Sequence, residues 1–142
     1  MRIGIYGGTF NPPHLGHLTA ARTAFELLKL DKLYLIPAAV PPHKPLPPGS
    51  PDAAERLELT RLAGEQLGLG DRVETLDIEL RREGKSYTSD TLRELHAQHP
   101  EDELWLLMGT DMFLTLHTWH EPEVIFAHAG VAAFGRTEED IE

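Results

Sequence analysis

Arg2 to His17, RIGIYGGTFNPPHLGH, decides how the rest of the chain is read. An apolar run through Ile3, Ile5 and Tyr6 has the character of a short buried strand. A glycine pair, Gly7-Gly8, follows it, then Pro12-Pro13, then His14 and His17. Beyond the prolines, Leu15, Leu18, Ala21, Phe25 and Leu28 recur at the spacing of one helical face. Glycines directly after a strand let the backbone approach a ligand closely, and the start of the next helix offers unpaired amides at its positive dipole end. A helix beginning near His14 carries both histidines in its first turn. Residues three apart share a face, so both imidazoles can reach one anion, with Gly16 leaving room between them. The pattern is neither the dinucleotide fingerprint G-x-G-x-x-G nor a P-loop, and it lacks the glutamate and i, i+4 spacing of a zinc protease helix. A glycine-proline turn with two incidental surface histidines is the plainer alternative; the joint pattern favours an anion site.

The remaining composition narrows the class. The chain has 142 residues, 41% apolar and 25% charged, which fits one ordinary globular domain spanning 1–142. Its apolar runs are too short to cross a bilayer, and no signal-like segment precedes the first strand, so a cytoplasmic protein without membrane partners is expected. With no cysteine, disulfides, thiolate metal sites and a cysteine nucleophile are all excluded. A formal charge of −10 argues against a protein that tracks a nucleic acid polymer. It leaves open a small anionic ligand held by a few placed donors.

Further along, Leu33 to Ile36 reads as a second strand, stopped by Pro37. The stretch Pro37 to Pro51 holds seven prolines and reads as a loop around His43-Lys44. Ser50-Pro51-Asp52 has the form of a helix start, with an end at Gly68 or Gly70. Val73 to Leu80 suits a strand and Thr88 to Gln98 a helix capped by hydroxyl residues. Leu104 to Met108 suits a buried strand, Met112 to Leu116 and Pro122 to Ala127 helical turns, and Gly130 to Phe134 a last strand. Arg56, Arg61 and the acids around them read as a solvated helix face. Strands alternating with helices predict an α/β fold with a mostly parallel sheet, whose ligands sit beyond the carboxyl ends of the strands. The unusual residues do follow strands: Gly7 to His17, Pro41 to Lys44, Gly109 to Asp111, and Arg136.

Together these segments carry a resemblance. GGTFNPPHLGH resembles the H-x-G-H signature of nucleotidylyltransferases. VPPHK (Val40 to Lys44), SYTSDTL (Ser86 to Leu92), GTDMF (Gly109 to Phe113) and HTW (His117 to Trp119) extend it, in order, toward bacterial nicotinate mononucleotide adenylyltransferases. The resemblance implies a Rossmann-like doubly wound sheet and transfer of AMP from ATP to nicotinate mononucleotide, giving nicotinate adenine dinucleotide and pyrophosphate. It implies Mg²⁺ carried with ATP, and no metal site of the protein's own. By the same resemblance His14, His17 and Lys44 are the catalytic residues. Gly7, Gly8, Thr9, Phe10, Gly109, Asp111 and Arg136 join the histidines around ATP. Lys44, Tyr87, Thr88, Trp119 and His120 receive the acceptor nucleotide, with Trp119 stacked on the pyridine ring and Thr88 at its carboxylate.

Two departures stand beside it. Asn11 occupies a position where the family commonly has aspartate, an exchange that supports the same local turn. The family also continues to an I-S-x-T-x-I-R segment at a helix start, which does not occur in this sequence up to Glu142. The expectation is therefore a domain truncated at its C-terminus that binds nucleotides weakly and turns over poorly. Three alternatives stay open: a related adenylyl- or cytidylyltransferase using phosphopantetheine or another acceptor, a preference for nicotinamide mononucleotide, and a non-catalytic nucleotide-binding module. Oligomeric state is not legible.

Overall fold

The computed structural model describes residues 1–8, 15–37, 53–80 and 87–134. Strand β1 (Arg2–Gly8) runs through the middle of a parallel sheet, paired on one side with β2 (Lys32–Pro37) and on the other with β4 (Glu103–Gly109). β3 (Val73–Thr75) extends the sheet beyond β2, and β5 (Gly130–Phe134) beyond β4, giving the order β3-β2-β1-β4-β5. The chain thus builds outward from β1 to β3, then returns to the other side of β1 for β4 and β5. That reversal puts the switch point between β1 and β4, where parallel sheets of this kind open a crevice at their carboxyl ends. Tyr6 lies opposite Leu107 in register, so Gly7-Gly8 and Met108-Gly109 end side by side.

Helices cover both faces, as short parallel crossovers require. On one face α1 (Leu15–Leu27) presents Ala21, Ala24 and Phe25 to Leu33, Leu35 and Leu107. On the other, α3 (Thr88–Gln98) and α5 (Pro122–His128) bring Leu92, Leu95 and Ile125 against Ile3, Ile5, Ile36, Leu104 and Leu106. Residues 33–37 of β2 are all buried, which explains its unbroken apolar run: a strand covered on both faces has no solvent side to alternate with. Close packing also accounts for Gly130. A Cβ there would sit 2.8 Å from the Trp105 ring, a rigid neighbour that cannot swing aside.

Four expectations are corrected. The third strand stops at Thr75 rather than Leu80. After Leu76 donates its amide to the Leu35 carbonyl, the chain turns, and Ile78 and Glu79 are buried from a turn rather than a strand. Burial of Ile78 mimicked the alternation of a longer strand. Next, Arg56 does not lie on a solvated face. Within α2 (Ala53–Glu65) it shares the buried side with Thr60 and Gly64 at four-residue spacing, and only 1% of it is exposed. Gly64 brings this side close to Leu35 and Val73. Arg61 does behave as expected, pairing with Glu58 and Glu65 in solvent. Third, α3 has Tyr87 at its N-cap, with no side-chain cap. Fourth, the helical turn after β4 begins earlier, as α4 (Thr110–Leu114), followed by a 3₁₀ turn at Leu116–Thr118. The proposed start of α2 at residues 50–52 lies outside the described residues. So do the loops at 9–14, 38–52 and 81–86, and residues 135–142.

Candidate active site

Two strand ends frame the crevice. Gly7 is exposed at the end of β1, and a Cβ added there would meet only the Ile36 carbonyl, at an ordinary 3.8 Å. Among the described residues, packing therefore does not call for glycine at this position, and its bare backbone leaves room beside that carbonyl. Tyr6 lies just below, and burial raises its phenol above the usual range, keeping it neutral. α1 begins at Leu15, so His17 falls in its first turn, as the spacing predicts. Gly109 ends β4 and serves as the N-cap of α4, whose first turn includes Asp111.

A second group of candidate residues lies around the starts of α3 and α5. Tyr87 precedes α3 and Thr88 opens it, both half-buried. The Tyr87 ring stacks on His120, with centroids 4.2 Å apart and planes 26° apart. Sequence reading proposed these two residues separately; the structure brings them into contact. Trp119, at the close of the 3₁₀ turn, packs against the core while remaining partly exposed, and its indole N–H donates to Thr115 Oγ1 at 3.1 Å. An indole anchored at its polar edge is held in a fixed orientation, which suits a stacking platform.

Two supports of this group were not anticipated. Glu79 is buried, and Thr91 Oγ1 donates to it at 2.7 Å, tying the turn after β3 to the first turns of α3. The signal was present in the sequence, since Glu79 stands alone between Ile78 and Leu80. The other support is Arg93, which forks onto Glu121 through bonds of 2.8 and 2.9 Å and also reaches Asp90 at 3.1 Å. The guanidinium holds the Glu121 carboxyl below its usual range, and Glu121 in turn raises Arg93.

Of the other candidates, Thr9, Phe10, His14, Lys44 and Arg136 lie outside the described residues, and for His17 and Asp111 only the backbone is described. Among the described residues, no three His, Cys, Asp or Glu side chains come together as a metal site, and no helix is long and apolar enough to cross a membrane.

Known proteins resemble this chain in sequence and in fold. A probable nicotinate-nucleotide adenylyltransferase from Geobacter sp. strain M21 is 47% identical over 136 residues, covering 96% of this chain and 61% of its own length. A relative of the same description from Exiguobacterium sibiricum is 43% identical over 136 residues, covering 96% of this chain and 69% of its own. The chain thus spans roughly three fifths to two thirds of these relatives. The fold is shared with Plasmodium falciparum nicotinic acid mononucleotide adenylyltransferase complexed with NaAD, at a TM-score of 0.73 and 14% identity over 94% of this chain and 74% of that one. The cytidylyltransferase-like family matches residues 5–141, nearly the whole sequence, and the chain belongs to that family.

Proposed function

We propose that this chain carries the transfer of AMP from ATP to nicotinate mononucleotide, forming nicotinate adenine dinucleotide and pyrophosphate, within one domain of a cytoplasmic enzyme of NAD synthesis. The observation that carries the reading is the Tyr87–His120 stack at the start of α3, beside Trp119 and at the carboxyl edge of the sheet. An aromatic surface next to a helix start suits a flat ring bearing an anionic carboxylate. The names of the two bacterial relatives and the dinucleotide bound by the Plasmodium protein support the same acceptor.

The chemistry is in-line displacement. An acceptor phosphate oxygen forms a bond to the α-phosphorus of ATP as the bond to the bridging oxygen of pyrophosphate breaks. The attacking oxygen is already anionic, so no general base or covalent intermediate is required; positioning and charge stabilisation carry the rate. In this reading His14 and His17 donate to ATP phosphate oxygens as negative charge shifts toward the leaving group. The backbone of Gly7, Gly8, Thr9 and Phe10 packs against the nucleotides. Gly109 and Asp111 face the ribose, with Arg136 on the adenosine side. Lys44 meets the acceptor phosphate, Thr88 and Tyr87 hold the pyridine carboxylate end, and Trp119 with His120 forms the ring platform. Mg²⁺ arrives bound to ATP as part of that substrate.

The test is pyrophosphate release by the purified chain supplied with Mg²⁺, ATP and nicotinate mononucleotide. Release that depends on the nicotinate form, with the dinucleotide as product, is expected. Equal release with nicotinamide mononucleotide or phosphopantetheine would reassign the acceptor. Binding of both nucleotides by the full-length protein without dinucleotide formation would identify a binding module.

A further inference from the structure

Three contacts join α3 to the segment from Trp119 to His128. The Tyr87–His120 stack lies at one end, the Arg93–Glu121 fork in the middle, and a His96–His128 stack, 4.7 Å between centroids, at the other end. The middle contact has an unusual residue on one side. Glu121 is the N-cap of α5 and adopts φ 50, ψ 58, a left-handed backbone that side chains with a Cβ rarely take. Its carboxylate does not cap the helix; it turns outward to Arg93, with His120 Nε2 also 3.3 Å away. A residue held in such a conformation persists where its surroundings over-determine it. Here a planar, two-bond guanidinium fork supplies that determination, in a geometry a single point charge would not reproduce.

We infer that Arg93 and Glu121 form a clasp that positions the Trp119-His120 turn over the start of α3 and so sets the width of the acceptor site. The pair is a positioning device and touches no reacting atom. The left-handed step at Glu121 reverses the chain directly after His120, aiming its ring at Tyr87, and the fork fixes that step to α3, which Leu92 and Leu95 anchor in the core. Its link to the acceptor rests on the function proposed above, so the test separates the two.

Arg93→Ala and Glu121→Gly each remove the fork, and the glycine keeps the left-handed backbone accessible. In the ligand-free chain, the His120 ring protons are followed by NMR for the ring-current shift that stacking on Tyr87 produces. Both variants are expected to lose most of that shift. Both are also expected to weaken nicotinate mononucleotide binding by about tenfold in calorimetry, leaving binding of a non-hydrolysable ATP analogue unchanged. The charge swap Arg93→Glu with Glu121→Arg is expected to restore part of both signals, which loss of folding would not allow. A wild-type ring-current shift in Glu121→Gly overturns the clasp whatever the ligand, because the backbone turn alone then places His120. A lost shift with unchanged nicotinate mononucleotide affinity overturns its role at the acceptor site while the proposed function stands. A wild-type chain that binds no pyridine nucleotide overturns the proposed function and the acceptor part of this inference, and the ligand-free spectrum still judges the clasp itself.

Discussion

At the amino ends of the strands, charged and polar groups satisfy one another within the chain. The Met1 ammonium lies 2.9 Å from Asp102, whose other oxygen is 3.3 Å from His99 Nδ1, and His99 Nε2 meets the Tyr34 hydroxyl at 3.2 Å. Arg2 pairs with Glu103, and Lys32 with Glu74. At the carboxyl ends, beside the Arg93–Glu121 and Thr91–Glu79 pairs, the described groups include bare glycine backbone at β1 and β4 and partly exposed rings of Tyr87, Trp119 and His120. One end spends its polar groups on closing the fold, and the other leaves faces that a ligand can complete. Under the function proposed above, stability and recognition fall at opposite ends of the same strands, and each can be perturbed with little effect on the other.

The strongest challenge to that separation is Leu104→Ala, near the amino end of β4, where the side chain is 2% exposed. Truncating a buried leucine costs about 2–5 kcal/mol, so urea denaturation should show a large loss of stability. Nucleotide affinity, measured below the melting transition, should be unchanged; a parallel collapse of affinity would join the two ends energetically. A converse test is Thr88→Val at the carboxyl end. Losing a hydroxyl donor to a charged ligand is worth about 1.5–3 kcal/mol, so nicotinate mononucleotide should bind roughly 10–100-fold more weakly. The melting temperature should stay within about 2 °C of wild type, since Thr88 makes no cap that its loss would break.

The smallest effect is the pH dependence of the amino-end pair. Asp102 is lowered from 3.8 chiefly by its hydrogen bond from the Met1 ammonium, which is itself raised from 8.0 chiefly by Asp102. The carboxylate's contribution is therefore complete above pH 3.8 and fades as pH falls through the lower folded value. The ammonium's contribution is complete below pH 8.0 and fades as pH rises through the higher folded value. Urea midpoints should be flat between these limits and decline shallowly on both sides. Asp102→Asn should flatten both declines, and added salt should weaken them because the pair faces solvent.

Most of the framework was legible because apolar periodicity reports burial directly. Thr88 to Gln98 and Gly130 to Phe134 have the boundaries that their patterns suggest. The misreadings occur where burial does not follow apolarity. Arg56 is buried beside a threonine and a glycine, so no apolar stripe marked that face of α2. Ile78 and Glu79 are buried from a turn, which at three or four residues is indistinguishable from a strand. At the candidate site, Tyr87, Thr88 and Trp119 are named from motifs and His120 as the neighbour of one. The stack between two of them, and the fork from Arg93, depend on how α3 meets α5, and one sequence contains no direct record of that meeting.

The parallel pairing at the centre of the sheet also bears on how the chain is made. β1 pairs with β2 across about thirty residues, but Arg2 finds Glu103 only across about a hundred. At synthesis rates of about 5–20 residues per second, the β4-facing edge of β1 waits several seconds for its partner. During that interval it is an open edge carrying Ile3 and Ile5, the kind of surface that recruits strands from other molecules. Chains held at low concentration, or made slowly beside a chaperone, should reach the native pairing in higher yield. The strand whose carboxyl end frames the crevice is thus also the one most exposed to wrong partners at birth.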